Sequence, residues 1–332
     1  MERRNFFAVL GASIWPLVAR AQSPLKQRRI AFVHTAIPAD QLSETAGPFW
    51  VRRFFEALRG LGYAEGRNLV VERFSAEGRD DRFAAIAAAV VSRNPEVIVS
   101  NTNSLVRALR AANATIPIVA IVADPVRSGL VKSLARPNGN LTGVSSDVGF
   151  EVFAKALQIL KETVPSATRV AYLTSRAQWN SAPMQVVHEA ARQLGITLIG
   201  THPPEVNDPA LRRVFDDMAG QQLDAAVIGS DGYFLAHRAL IVDLAARLRL
   251  PAMYPYRDYV ELGGLMAYAP DLGELAQRLA DDVHQILNGT KPGDIPMYQP
   301  TRIELVINQK TARALGLAIS PTLLARADEV ID

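Results

Sequence analysis

Short apolar runs alternate with longer amphipathic ones along almost the whole chain, and that alternation leaves few folds open. RRIAFVHT (28–35) reads as a strand, and PFWVRRFFEALRGLGY (48–63) then carries Trp50, Val51, Phe54, Phe55, Leu58 and Leu61 on one helical stripe. NLVVERFSAE (68–77), EVIVSN (96–101) and PIVAIVAD (117–124) read as further strands, with helices over 81–94 and 105–113 between them. A parallel strand pair needs a long crossover, and a crossover helix covers one face of the sheet. Strands apolar on both faces and separated by helices therefore predict a parallel sheet covered on both sides.

The series then runs a second time. RVAYLTS (169–175), ITLIGTH (196–202), DAAVIGSD (224–231) and PAMYPY (251–256) alternate with helices over 182–194, 208–221 and 233–248. Gly62 and Gly195 each close the first helix of their series, where a left-handed cap is expected. A chain of 332 residues, 49% of them hydrophobic, is long enough for two cores. The expected fold is α/β, with two doubly wound parallel-sheet lobes joined by a multi-strand hinge. The first lobe is expected over 28–145 plus about 267–290, and the second over 146–266 plus about 296–332.

Between the two series the stretch ADPVRSGLVKSLARPNGNLTGVSSD (123–147) is dense in turn residues. Residues 137–147 read as the crossover between lobes, shaped by Pro137, Gly139 and Gly143. GLMAYAP (264–270) with a helix over 271–288 is expected to return to the first lobe, and PMYQPTRIELVIN (296–308) to the second. Several crossings make a hinge that bends along one axis.

The first residues read as an export label. MERRNFF opens with paired arginines, FFAVLGASIWPLV is apolar but too short to span a bilayer, and ARA at 19–21 predicts cleavage after Ala21. Arg3–Arg4 resembles a twin-arginine signal, with an ordinary secretory signal as the alternative. The mature chain is expected in the periplasm as a monomer without membrane insertion. The chain holds no cysteine, which excludes disulfides, thiolate metal sites and a lipid-modified cysteine. Of the net charge of +3, Arg3, Arg4 and Arg20 against Glu2 supply two, so charge makes no case for a nucleic-acid partner.

Enzyme signatures are missing. No glycine-rich dinucleotide or phosphate loop follows the first strand, and GSDG (229–232) is preceded by Ile228, which breaks the nucleophile-elbow pattern. His34, His188, His202, His237 and His284 show no metal-ligand spacing, and neither cofactor nor metal is expected. Asp216–Asp217 and Asp281–Asp282 read as solvated helix faces.

Polar residues do collect at the C-terminal ends of the expected strands, where open α/β sheets place their ligands. His34 and Thr35, Asn101, Thr102 and Asn103, and Asp124 do so in the first half; Thr174 and Ser175, the loop RAQWNSA (176–182), and Ser230–Asp231 do so in the second. Helices starting there present N–H groups to a carboxylate, and Asp124 or Asp231 suits an amine. Trp179, Tyr254, Tyr256 and Phe234 are candidates for stacking. Several of these have a structural alternative. Asp124, Thr102, Asn103, Asn180 and Ser181 also suit helix caps, Tyr254 the core, and His34 either the cleft or a buried structural role.

DPVRSGLVKSLARPNGNLTGVS (124–145) closely resembles the D-P-V-x-x-G-L-V-x-S-L-A-R-P-G-G-N-x-T-G-x-S run of a family of ABC-transporter substrate-binding proteins commonly linked to tryptophan or tyrosine uptake. WNSAPMQV (179–186), GGLMAYAPD (263–271), QILNGTKPGDIPM (285–297), VINQKTARALGL (306–317) and LLARADEVI (323–331) extend the resemblance over the mature chain. The resemblance implies a periplasmic-binding-protein fold that closes on one small ligand and delivers it to an ABC permease in the inner membrane. It implies first-lobe contacts at Asn101–Asn103 and Asp124, with Val144 and Ser145 near the hinge. In the second lobe it implies Asn180, Ser181 and Asp231, with Tyr256 and Tyr268 near the crossovers. The loop TSRAQWNS departs from the family's N-P-x-N-x-x-S-type pattern, so Arg176 and Trp179 alter pocket size or charge. Asn138 stands where Gly is usual and needs a left-handed turn. A receptor that only senses a ligand, and an exported hydrolase or isomerase, are the competing readings.

Overall fold

The computed structural model describes residues 27–332 apart from 147 and 150, and the side chains of residues 182 and 183 are not described. The export label and its cleavage point lie outside the described residues. Among those described, the strands form two sheets.

The first sheet takes β1 (Arg28–His34), β2 (Leu69–Ser75), β3 (Val97–Asn101), β4 (Ile118–Val122) and β5 (Leu141–Ser145), all parallel, in the order β2-β1-β3-β4-β5. Helices α1 (Phe49–Gly60), α2 (Phe83–Ser92) and α3 (Asn103–Ala112) are the crossovers. Strand alternation sends Ile30, Phe32, Val99 and Val119 to one face, against Trp50, Phe54, Phe55 and Leu58 of α1. Ala31, Val33, Ile98 and Ala120 go to the other, against Phe83, Ile86, Leu105 and Leu109. Each of these large side chains contributes about 1.5–3 kcal/mol by leaving water.

The second lobe opens with α4 (Glu151–Thr163), then β6 (Arg169–Leu173), α5 (Arg176–Trp179), α6 (Ala182–Gln193), β7 (Thr197–Thr201), α7 (Asp208–Ala219) and β8 (Ala225–Ile228). It continues through α8 (Gly232–Ala236), α9 (Arg238–Arg247), β9 (Ala252–Tyr254), α10 (Arg257–Glu261) and β10 (Met266–Pro270). After α11 (Leu272–Leu287) it resumes with β11 (Ile303–Asn308), α12 (Gln309–Leu315), α13 (Pro321–Arg326) and β12 (Glu329–Ile331). The sheet order is β12-β11-β10-β9-β8-β6-β7, parallel except where β10 meets β11. Both sheets therefore reverse strand order beside their first strand, the switch point at which such sheets bind ligands.

Three crossings join the lobes. The first leaves β5. The second runs from β10 into α11, which packs its apolar face on α1 in the first lobe. The third runs from Ile295 to β11, and Tyr298 bridges Val144: Ser145 N donates to Tyr298 O at 2.7 Å and Tyr298 N to Gly143 O at 2.9 Å. Asp271 and Arg302 pair at 3.7 Å and link the second crossing to the third. The hinge is thus a stitched set of segments.

The chain departs from the sequence reading at several places. Residues 141–145 form a fifth strand, where a crossover over 137–147 was expected; turn-rich flanks mask a run of only five residues. Gly143 serves that strand instead of a turn, because a Cβ there would lie 2.2 Å from the Ala120 carbonyl oxygen. Residues 267–270 pair in the second sheet, so the change of lobe comes at Asp271, and Ile295–Tyr298 still lies on the first lobe. GLMAYAP is apolar enough for either sheet, and only the antiparallel partner β11 decides between them. The expected helix over 233–248 breaks at His237 into α8 and α9. Asp282 is buried, not solvated, and burial beside Asp281 pushes its carboxyl up to about 7. Asn138 takes φ 56°, and Gly62 and Gly195 take φ 93° and 66°, the left-handed turns expected of them.

Candidate functional site

The C-terminal edges of the two sheets face a cavity of about 660 Å³ between the lobes. The lobes also touch directly beside it. Phe49 N of α1 donates to Asp258 Oδ1 of α10 at 2.6 Å, and the Tyr233 hydroxyl donates to Asp80.

On the first-lobe wall, β1 ends at His34, whose Nδ1 accepts from the N–H groups of Ala36 and Ile37 at 3.0 and 2.9 Å. Burial lowers its pKa from 6.5 to about 3, so the ring is neutral and Nε2 carries the hydrogen. Its ring lies 5.9 Å from that of Trp50, and both line the cavity. Asn101 ties β3 to the loop after β1, accepting from Thr35 N and donating to Thr35 Oγ1, both at 3.1 Å. Asn103 does the same for β4, clamping Ala123 through N–H and carbonyl at 2.9 and 2.7 Å. These amides line the cavity but spend their hydrogen bonds on its wall.

Thr102 differs from both. It starts α3 at φ 60° and ψ 147°, a corner of backbone space that suits glycine and costs a β-branched residue about 1–3 kcal/mol. Its hydroxyl caps nothing: Oγ1 is buried without a hydrogen-bond partner among the described residues, as is Oγ of Ser128. Asp124, at φ 39°, accepts from Arg127 N at 3.1 Å and from Arg127 Nε at 2.8 Å. Its charge is therefore already paired with Arg127, which also lines the cavity.

The second-lobe wall is aromatic. Tyr172, Tyr254, Tyr256 and Tyr268 line it, with Phe153 from α4. Burial, with the charges of Asp231 and Asp258, pushes the Tyr256 hydroxyl up to about 12; burial and Asp231 likewise raise Tyr172. Both stay protonated. Asp231 itself lies between two lining residues, Ser230 and Gly232, and its one side-chain partner among the described residues is the Thr174 hydroxyl at 3.0 Å.

Of the residues expected at the site, the cavity gathers His34, Asn101, Thr102, Asn103, Asp124, Tyr256 and Tyr268. Val144, Ser145, Thr174, Trp179, Asn180, Ser181 and Asp231 are not on its lining. Val144 and Ser145 are buried in β5 at the hinge, and Thr174 is buried at the end of β6. Trp179 sits behind Tyr172 and lies against Gly200, where a Cβ would come within 2.8 Å of the indole, flanked by His188 and His202. Asn180 is exposed, and Ser181 Oγ donates back to Gln178 O at 2.6 Å, so Gln178 is the residue this loop turns to the cavity. Phe234 is wholly buried off the cavity, while Tyr254 is both core and lining, stacked on Tyr259 at 5.1 Å. Trp50, Arg127, Ser128, Phe153 and Tyr172 were not anticipated. Arg127 is legible in hindsight as the third residue after Asp124 in a turn; Tyr172 and Trp50 look like core.

Two lobes of one topology, three stitched crossings and a cavity between their ligand-binding edges define a two-lobed solute-binding protein. The family model for ABC transporter substrate binding proteins matches residues 43–331, and the chain belongs to that family. It is 25% identical over 269 residues to a tyrosine-binding protein of Clostridioides difficile, covering 80% of this chain and 75% of that one. Its fold matches a conserved domain protein from Vibrio cholerae (TM-score 0.76, 26% identity, 92% of this chain and 100% of that one). It also matches an ABC domain in complex with L-Trp from Streptococcus (TM-score 0.75, 22% identity, the same coverage).

Proposed function

We propose that this protein is the exported receptor of an ABC importer and closes on a small amino-acid-like solute with an aromatic or otherwise apolar body. One observation carries the reading: tyrosines line the second-lobe wall of the cavity, with Asp231 next to that lining between Ser230 and Gly232, and Thr102 and Arg127 line the first-lobe wall. The first-lobe pole suits a carboxylate, through the free hydroxyl of Thr102, the uncapped start of α3 and the Arg127 guanidinium. Next to the second-lobe lining, Asp231 suits an amine, since among the described residues no cation pairs with it, whereas Arg127 already pairs with Asp124. A ligand spanning both poles makes all its contacts only when the lobes close, and that differential affinity shifts the open–closed balance. The similarity to a tyrosine-binding protein supports the aromatic amino acids as first candidates. Among the described residues no helix is long and apolar enough to cross a membrane, consistent with a receptor working beside the permease.

A thermal-denaturation and calorimetric screen of amino acids and aromatic acids tests this. A true ligand at 100 times its Kd adds about 2.7 kcal/mol to stability. Asp231→Asn is expected to weaken an amine-bearing ligand about tenfold or more, and Asp124→Ala only a few-fold. A screen without any stabilising solute, or an Asp231→Asn variant of unchanged affinity, would overturn the reading.

A further inference from the structure

We infer that Thr174, with Gly229, is a positioning residue that sets the receptor's preference for solutes carrying an amine, acting through Asp231 without touching the ligand. The inference rests on the reading of Asp231 as the amine pole. Thr174 is wholly buried and held from three sides. Its N–H donates to Thr201 O at 3.1 Å, its carbonyl lies 3.0 Å from Nδ1 of His202, and its hydroxyl donates to Asp231 Oδ2 at 3.0 Å. The hydroxyl engages one carboxylate oxygen and leaves Oδ1 to receive an ammonium group.

The chain has to bring the end of β8 unusually close for this bond to form. Gly229 permits it: a Cβ there would lie 3.1 Å from both Cβ and Oγ1 of Thr174 and 2.9 Å from the Leu173 carbonyl oxygen. Gly229 N also donates to that carbonyl at 2.7 Å. The glycine, the buried hydroxyl and the carboxylate two residues beyond the glycine therefore form one built unit. No charged side chain takes part in it besides Asp231 among the described residues. A carboxylate next to the cavity without a cation needs a neutral donor to fix its orientation, and Thr174 supplies one.

The test compares two pairs of probes, each an amino acid and its amine-free counterpart: L-tyrosine with 3-(4-hydroxyphenyl)propanoate, and L-tryptophan with 3-(indol-3-yl)propanoate. Thr174→Val keeps the side chain's shape and removes the hydroxyl. It is expected to weaken the amino acid about tenfold while leaving the amine-free probe within about twofold. Thr174→Ser is expected to restore the preference, and Gly229→Ala to lose it as Thr174→Val does. Unfolding midpoints of each variant separate misfolding from altered selectivity. Equal weakening of both probes by Thr174→Val, no weakening of either, or a Thr174→Ser variant no better than valine would each overturn the inference. An Asp231→Asn variant that loses the preference while Thr174→Val keeps it leaves the amine pole standing and removes Thr174. An Asp231→Asn variant with unchanged preference, or a wild-type protein that binds neither amino acid, removes both.

Discussion

His34 shows how much one side chain can be asked to do. It was legible as polar and near the end of a strand, but not that its ring would cap the turn after β1 by accepting two N–H bonds. Acceptance requires the neutral ring, and burial depresses the pKa to about 3 from 6.5. Between these values the unfolded chain binds a proton that the folded chain does not. Stability is therefore lost as pH falls through that window, at about 1.4 kcal/mol per pH unit. In His34→Asn the amide oxygen takes the place of Nδ1 and does not titrate. Denaturant unfolding from pH 7 to 4 is expected to show a shallower decline than wild type; parallel curves would refute it. Thr102 is the converse case, strained where strain serves the site. Thr102→Gly relieves about 1–3 kcal/mol of backbone strain against about 0.5–1 kcal/mol of added chain entropy. It is expected to unfold at higher denaturant concentration and to bind ligand several-fold more weakly, read by unfolding and titration calorimetry on the same sample.

At the scale of elements, helix α1 depends on the other lobe. Its N-cap is Pro48, which has no side chain to cap with, and the N–H of Phe49 instead donates to Asp258 of α10. Arg257 lies over the Phe49 ring at 4.3 Å, and Arg52 pairs with Glu261 at 3.5 Å, so α10 seats on the start of α1 through three contacts. Asp258 is buried, which raises its pKa despite the hydrogen bond, and its Oδ2 has no hydrogen-bond partner among the described residues. Asp258→Ala removes the cap and is expected to cost about 0.5–2 kcal/mol. Asp258→Asn keeps an acceptor without the buried charge and is expected to lie within about 0.5 kcal/mol of wild type. Equal losses in both variants, by denaturant unfolding at neutral pH, would show that the charge and not the cap matters. None of this was visible in the sequence, where 48–63 shows only its buried stripe, and the capping carboxylate comes from 209 residues away.

At the scale of the molecule, the two lobes are built alike but not joined alike to their neighbours. The first sheet ends on β5, whose free edge takes the third crossing through Tyr298. The second gains β11 and β12 after the chain has visited the first lobe and returned. Three crossings tied by Val144–Tyr298 and Asp271–Arg302 form a multi-strand hinge, a construction that favours bending about one line over free rotation. In the proposed function, closure about that line would bring Thr102 and Asp231 toward each other, the motion a bridging solute would favour.

The alternation of apolar runs and amphipathic helices was enough to determine two parallel α/β lobes, because a period-2 run buried on both faces and a period-3.6 stripe have few other solutions. It also put several of the residues that line the cavity at the strand ends, since parallel topology places them there. Which of those residues are free for a ligand was decided by the tertiary structure alone. Asn101, Asn103 and Asp124 are occupied by Thr35, Ala123 and Arg127, and Thr102 is left open. Tyr172 faces the cavity and Trp179 is packed behind it. Hydrogen-bond partners and packing neighbours are set by contacts between segments far apart in the chain, and no local pattern of residues records them.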